Sequence, residues 1–315
     1  MTAGPLLAVL VSQITAGCTD SGGSANTTTV STPRTAMSSS AALAGEALPL
    51  DPFRNEFTTT RATIFNSEQV LMSECMKLSG FDFAPSEYGQ PDLYYGTYGL
   101  TNADQARTHG YLQPGLEDAP DLMAIELAKF PSDPDEKSKF TLALNGDETL
   151  PNVIKVDNSA LAGVPDFINF PRGCLGTADL KLFGSVETYA RYQTLSNWLQ
   201  LTLQAAIEAT FASDVAIHAA ADWAACMSSS GYTYESIFEP FGQEWDEPRP
   251  GTTEIDTAVA DVACKEEVEY VAQLRSIERA LQSDAINGNP TALQEFEKLR
   301  AEVLANAAVA LGNRG

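Results

Sequence analysis

The chain has 315 residues, 44% of them hydrophobic, and carries a net charge of −23 with a pI near 4.3. That apolar fraction can bury a core for one large or two smaller domains, which excludes a globally disordered chain. A charge this negative repels phosphate backbones, so nucleic acid is set aside as a partner.

Residues 1–17 read as an export signal. Leu6-Leu7-Ala8-Val9-Leu10-Val11 is a short apolar run, too short to cross a bilayer as a helix. Ile14-Thr15-Ala16-Gly17-Cys18 follows, with small residues directly before a cysteine. This resembles the bacterial lipobox, in which the cysteine becomes the lipidated first residue of the mature protein. Cys18 is the expected lipidation site, and the membrane the expected partner through that anchor. Residues 18–54 are rich in Ser, Thr, Ala and Gly and bury too little apolar area to offset their ordering entropy. They read as a disordered, flexible tether. An anchor followed by a tether suits a domain displayed on the outer face of the cell membrane or in the cell envelope.

Residues 55–315 are expected to be mainly α. A first helix runs from about Thr58 to Ser79, with Ile64, Leu71, Cys75 and Leu78 on one face. Gly80 suits the left-handed residue that ends it. Phe81 and Phe83 then form an extended exit or cover a disulfide. Residues 84–115 are loop-like, with Tyr88, Tyr94, Tyr95, Tyr98 and Tyr111 interleaved with glycines. A short helix within them spans Thr101 to Thr108, capped by Thr101. Helices at Asp121–Phe130 and Asp135–Leu144 are split by Pro131 and Pro134. Residues 145–173, with Pro151, Pro165 and Pro171, read as a long irregular connection.

From Thr177 to about Ser230 the pattern is helical. A break is expected at Thr194–Ser196 or at Ala212–Asp214, with Ser213 or Asp214 as cap. Residues 232–251 form an exit loop closed by Pro248-Arg249-Pro250-Gly251. A single helix is expected from Thr253 to about Ser283, capped by Thr252 or Thr253. After the turn Asn287-Gly288-Asn289-Pro290, a last amphipathic helix runs from Thr291 to about Leu311. No sustained period-two strand is present.

One motif occurs twice. Cys75-Met76-Lys77-Leu78-Ser79-Gly80-Phe81-Asp82-Phe83 and Cys226-Met227-Ser228-Ser229-Ser230-Gly231-Tyr232-Thr233-Tyr234 both read Cys-Met-x-x-x-Gly-aromatic-x-aromatic. A further cysteine follows each, Cys174 and Cys264. Four cysteines allow three pairings. The repeat favours Cys75–Cys174 and Cys226–Cys264, so that each unit (about 55–192 and 193–285) closes on itself ahead of the C-terminal helix. A zinc site is disfavoured because no Cys-x-x-Cys pair occurs and neither His lies near two cysteines.

With Asp222-Trp223 before the second motif and Val262-Ala263-Cys264 after it, the chain resembles a group of uncharacterised secreted lipoproteins of actinobacteria. Tyr98-Gly99-Leu100-Thr101, His109-Gly110-Tyr111 and Ala143-Leu144-Asn145-Gly146 carry the same resemblance, which spans roughly residues 55–285. It implies export, a lipid anchor and paired cysteines, and it implies no activity.

Signals for catalysis are sparse. There is no Gly-x-Ser-x-Gly elbow, no His-Glu-x-x-His and no phosphate-binding glycine loop. Asp133-Pro134-Asp135-Glu136 lacks the glycine and terminal glutamate of an EF-hand and reads as a solvated helix start. No catalytic residue, metal or cofactor is therefore assigned. His218 reads as a packing or capping residue in an alanine-rich helix, and His109 as a loop histidine beside the tyrosines. The candidate ligand surface combines Tyr94, Tyr95 and His109 with the acidic, aromatic loop holding Tyr232, Tyr234, Glu235 and Trp245. Aromatic faces beside carboxylates suit an envelope glycan, and a protein is the other expected partner. The reading is a non-enzymatic binding or structural surface domain. The alternative is a secreted hydrolase acting on cell-wall glycans through Glu235, Glu239 or Glu244.

Overall fold

A computed structural model describes residues 47–54, 59–87, 96–112, 122–147, 149–161, 163–246 and 249–312. Cys18, Tyr88, Tyr94 and Tyr95, the expected export signal and most of the expected tether lie outside these residues. The described chain is mainly α, as expected. It begins with α1 (Asp51–Arg54), α2 (Thr59–Leu78), α3 (Ala103–His109), α4 (Leu122–Ala128) and α5 (Pro134–Asn145). A two-stranded antiparallel hairpin follows, β1 (Val153–Lys155) and β2 (Phe167–Asn169), with Ile154 opposite Ile168. Then come α6 (Gly173–Phe183), α7 (Val186–Phe211), α8 (Asp214–Ser229), α9 (Glu239–Gly242), α10 (Thr252–Glu267), α11 (Tyr270–Gly288) and α12 (Pro290–Gly312).

Side-chain caps set several helix starts. Asn102 accepts from the backbone N–H of Asp104 and Gln105, both at 2.9 Å, and so takes the place expected of Thr101. Asp133 accepts from Asp135 at 3.0 Å and from Glu136 at 2.9 Å, and Pro134 at the first helical position lacks a donor to orphan. Ser213 caps α8 by accepting from Ala216 at 3.2 Å.

The structure corrects several expectations. The hairpin interrupts the supposed irregular connection; its strands are three residues long and only Ile168 is buried, too little for a period-two signal. Of the two breaks expected after Thr177, the one at Ala212–Asp214 is present, between α7 and α8. None occurs at Thr194–Ser196, where Thr194 is buried within α7 and donates its hydroxyl to the Ala190 carbonyl at 2.8 Å; a further boundary lies at Gly184, between α6 and α7. The single helix expected over 253–283 is two, divided at Glu269, whose φ of 56° is left-handed. No Gly or Pro marks that break. There α10 turns from its packing on α3 and α8 into α11, which packs on α7 and α8. Thr252 and Thr253 are already helical, and Gly251 stands at the cap position without a side chain to offer. Leu78, assigned to the buried face of α2, is 91% exposed, while Met72 and Met76 are buried.

The apolar side chains form two main cores. The first gathers α1, α2, α5, α6, the front of α7 and α12 around Met76, Phe140, Leu182, Leu195 and Phe296. The second gathers α8, α10 and α11 around Trp223, Met227, Tyr270 and Leu274. A smaller cluster of Leu100, Ala106, Tyr111, Ala258 and Val262 joins α3 to α10.

The bridges Cys75–Cys174 and Cys226–Cys264 form, with Cα separations of 5.4 and 5.6 Å. They close sequence loops of 99 and 38 residues. In the chain-entropy view such closures stabilise by roughly 5 and 4 kcal/mol. The rings are self-closed, but the cores do not follow them. Tyr98, Leu100 and Tyr111 lie inside the first ring by sequence and pack in the second unit. The C-terminal α12 returns to the first core. The helical region also begins earlier than 55. Leu50 and Phe53, placed in the tether by composition, are buried, with the Leu50 N–H donating to Gln282 at 2.9 Å and Phe53 edge-on to Phe296 at 5.9 Å.

Candidate functional site

The two motif exits meet, but through their inner faces. Tyr111, from the loop after Cys75, packs between Phe241 at 4.9 Å and Trp245 at 5.6 Å, the latter stacked with an interplanar angle of 14°. Trp245 is half-buried and donates its indole N–H to the Pro240 carbonyl at 3.1 Å. Tyr232 and Tyr234 are half-buried against the core that holds Cys226 and Cys264. The Tyr234 hydroxyl donates to Gln243 at 2.7 Å. The carboxylates face the other way. Glu235, Glu239 and Glu244 are exposed, and Glu239 accepts from the Glu235 backbone N–H at 2.9 Å. His109 ends α3 half-buried, its Nδ1 2.6 Å from the Thr108 hydroxyl. His218 is exposed on α8, which corrects its assignment as a packing residue: it lies on the solvent side, while Ala216 and Ala219 face the core.

Behind Tyr111 lies a buried polar centre. Asp261 accepts from the Trp223 indole at 2.9 Å and the Tyr111 hydroxyl at 3.2 Å, and Lys265 reaches it at 2.9 Å. Lys265 also donates to the Leu100 carbonyl at 2.9 Å. Burial pushes the Asp261 carboxyl up and the Lys265 ammonium down, and the attraction between them opposes both shifts. Nearby, Glu254 accepts from the Tyr111 N–H at 3.1 Å and holds Arg249 at 2.6 Å. Every group here has a partner, so the centre works as a structural tie between α3, α8 and α10.

A different pair is unsatisfied. Glu68 is placed on α2 in the stripe of Ile64 and Met72, and Asp179 on α6 in the stripe of Leu175 and Phe183. Each acid falls at a core-facing position by helical periodicity. Cys75 ends the same face of α2 and Cys174 begins α6, so the bridge holds the two helices side by side. Both acids line an open cavity of about 320 Å³, together with Asn152 and Asn169 at the hairpin, Tyr189 and Gln193. An adjoining cavity of about 360 Å³ shares Glu68, Ile64, Phe183 and Gln193.

Burial raises the Glu68 carboxyl to about 7. Burial, and then the charge of Glu68, raises Asp179 to about 8. The Tyr189 phenol is pushed up by burial and by both acids. Two acids that keep protons near neutral pH can donate and accept protons or receive a positive charge. Among the described residues, no group of three or more His, Cys, Asp or Glu is placed to hold a metal ion.

The pair was not singled out from the sequence. The available signal was an acid interrupting each apolar stripe, Ile64-x-x-x-Glu68-x-x-x-Met72 and Leu175-x-x-x-Asp179-x-x-x-Phe183.

No protein-family model matches this chain, and no match is found among curated proteins or among solved structures.

Proposed function

We propose that this chain is an exported cell-envelope lipoprotein, tethered through Cys18, whose disulfide-braced helical domain is a binding module. The observation that carries the reading is the pair of disulfides, one at each repeated motif. Such bridges persist in oxidising compartments outside the cytoplasm. The lipobox-like Ile14-Thr15-Ala16-Gly17-Cys18 and the Ser/Thr-rich stretch after it supply anchor and tether. The resemblance to secreted actinobacterial lipoproteins supports the same location. Among the described residues no helix is long and apolar enough to cross a membrane. A lipid on Cys18 is the attachment this reading assigns. Binding is the favoured role because the cavity beside Asp179 offers a partly apolar, partly polar recess.

Intact-mass measurement of protein extracted from the native membrane tests the proposal. The expected result is acyl mass on the peptide that begins at Cys18, with two hydrogens gained per bridge on reduction. An unmodified Cys18, or thiols already free at the four bridge positions, would refute it.

A glycan hydrolase is the second reading, favoured by the Glu68–Asp179 pair rather than by the loop carboxylates. Raised carboxyls suit a general acid. Release of reducing sugar from cell-wall material, lost in both Glu68→Gln and Asp179→Asn, would select it.

A further inference from the structure

We propose that the cleft between α2 and α6 binds a small organic ammonium ion, seated between Glu68, Asp179 and the ring of Tyr189. The inference rests on the binding-module reading and names the ligand class.

Asp179 is only 5% exposed and lines the cavity. Among the described residues no donor reaches Asp179 or Glu68, and no cation pairs with either. A buried carboxyl without a partner is costly to ionise. Glu68, half-buried, shares the recess and adds to the cost, since each acid repels the other's charge. The fold does not answer this cost with its own cations. On α2 and α6, Glu74 and Lys181 pair with each other at 3.3 Å. On α7, Arg191 is bound to Glu295 of α12 at 2.5 Å. Before α6, Arg172 donates to the Pro151 carbonyl. Lys137 of α5 lies over the Phe130 ring, and Arg300 of α12 donates to Thr60 at 3.1 Å. Lys298 of α12 faces Glu302. The hairpin brings amides to the cleft, not cations. Arg61 is exposed and lines the adjoining cavity together with Glu68.

A positive ligand supplies what is missing. Tyr189 lines the cavity, and its ring is held perpendicular to those of Phe170 at 5.0 Å and Phe183 at 5.1 Å, which fixes it as an aromatic wall. Such a wall attracts an ammonium through its ring quadrupole. The side-chain carbonyls of Asn152 and Asn169 offer acceptors for N–H groups. A neutral sugar would use the ring and the amides but would leave both acids uncompensated. Among the described residues no third His, Cys, Asp or Glu joins the pair to hold a metal ion. Because both acids hold protons near neutral pH, entry of a cation expels a proton, so binding strengthens as pH rises.

The test is calorimetric titration of the full chain, disulfides intact, with putrescine and with N-acetylglucosamine as the neutral comparison. The expected result is saturable putrescine binding that strengthens about tenfold between about pH 6 and about pH 8.5, with proton release seen as buffer-dependent heat. Glu68→Gln and Asp179→Asn each weaken putrescine binding at least about tenfold while keeping a cooperative thermal transition. Absence of putrescine binding, binding indifferent to pH, or binding unchanged in both folded variants overturns the proposal. Saturable N-acetylglucosamine binding without putrescine binding also overturns it, and leaves the wider binding-module reading standing.

Discussion

The backbone N–H of Tyr232 donates to the Met227 carbonyl at 2.9 Å across a left-handed Gly231 with φ of 92°. Phe81 makes the same bond to Met76 at 2.9 Å across Gly80, φ 88°. The inner bonds match as well, Gly231 to Ser228 at 3.0 Å and Gly80 to Lys77 at 3.1 Å. Both are Schellman closures, which satisfy the last helical carbonyls and turn the chain sharply. In each, the methionine beside the cysteine is fully buried and the bridge forms one residue earlier. The repeated sequence is thus a repeated helix end that places a half-buried sulfur against a buried one.

Gly80→Ala and Gly231→Ala isolate the conformational part of this motif. An added Cβ would meet nothing within 4 Å at either position, so the cost is backbone strain alone. Each substitution should lower stability by about 1 kcal/mol, read from urea unfolding of the oxidised protein. Equal stability of variant and parent would show that the left-handed turn carries no cost.

The bridges should differ in what they protect. Serine at both Cys226 and Cys264 removes the shorter loop closure, and serine at both Cys75 and Cys174 the longer. The expected losses are roughly 4 and 5 kcal/mol, measured by thermal unfolding. Only the second double variant loosens the α2–α6 contact beside Glu68 and Asp179, so only it should return their titration toward ordinary carboxyl behaviour. Carboxyl NMR shifts followed against pH would show this, and identical titration in both variants would separate the bridge from the cleft.

Legibility followed how local each signal is. The helix end at Gly80 and the cap at Ser213 were readable because a left-handed glycine and a capping hydroxyl are properties of nearby residues, and the two pairings because the motif that carries the first cysteine of each is repeated. The break at Glu269 was not, because a left-handed glutamate carries no composition signal and is imposed by the packing of Tyr270 and Leu274 in the second core. Tyr111 was read only as one tyrosine of a glycine-rich loop, yet its hydroxyl and ring are used by Asp261 and Trp245, partners far along the chain. Glu68 and Asp179 stayed hidden for the same reason. Each alone is an acid in an amphipathic helix, and the packing of α2 on α6, fastened by the Cys75–Cys174 bridge, makes them neighbours.

Lys265 tests the buried polar centre. It is 2% exposed and is held by Asp261 and the Leu100 carbonyl. Lys265→Met leaves Asp261 with the Trp223 and Tyr111 donors but no countercharge, and should cost about 3 kcal/mol. Adding Asp261→Asn should recover part of that loss, because the second change removes the stranded charge. Additive losses in chemical unfolding would mean that the two groups are not coupled.

The carboxyl pair makes a prediction about pH with a definite sign. Glu68 and Asp179 move from ordinary values of 4.5 and 3.8 to about 7 and about 8 in the folded chain. The folded state therefore holds these protons more tightly than the unfolded state. The stability this contributes is complete below the ordinary values and is lost as pH rises through about 7 and about 8. Glu295, lowered by its hydrogen bond to Arg191, acts in the opposite sense and at lower pH, where its stabilisation is lost on acidification. Asp261 shifts in the same direction as the pair, so the effect is isolated by difference. Asp179→Asn should flatten the decline between about pH 5.5 and about pH 8.5 and exceed the parent's stability at the upper end by on the order of 2 kcal/mol. Melting temperatures of both proteins across that range decide the matter. Parallel curves would mean that Asp179 ionises freely where it stands, and the cleft would then hold no stored demand for a positive charge.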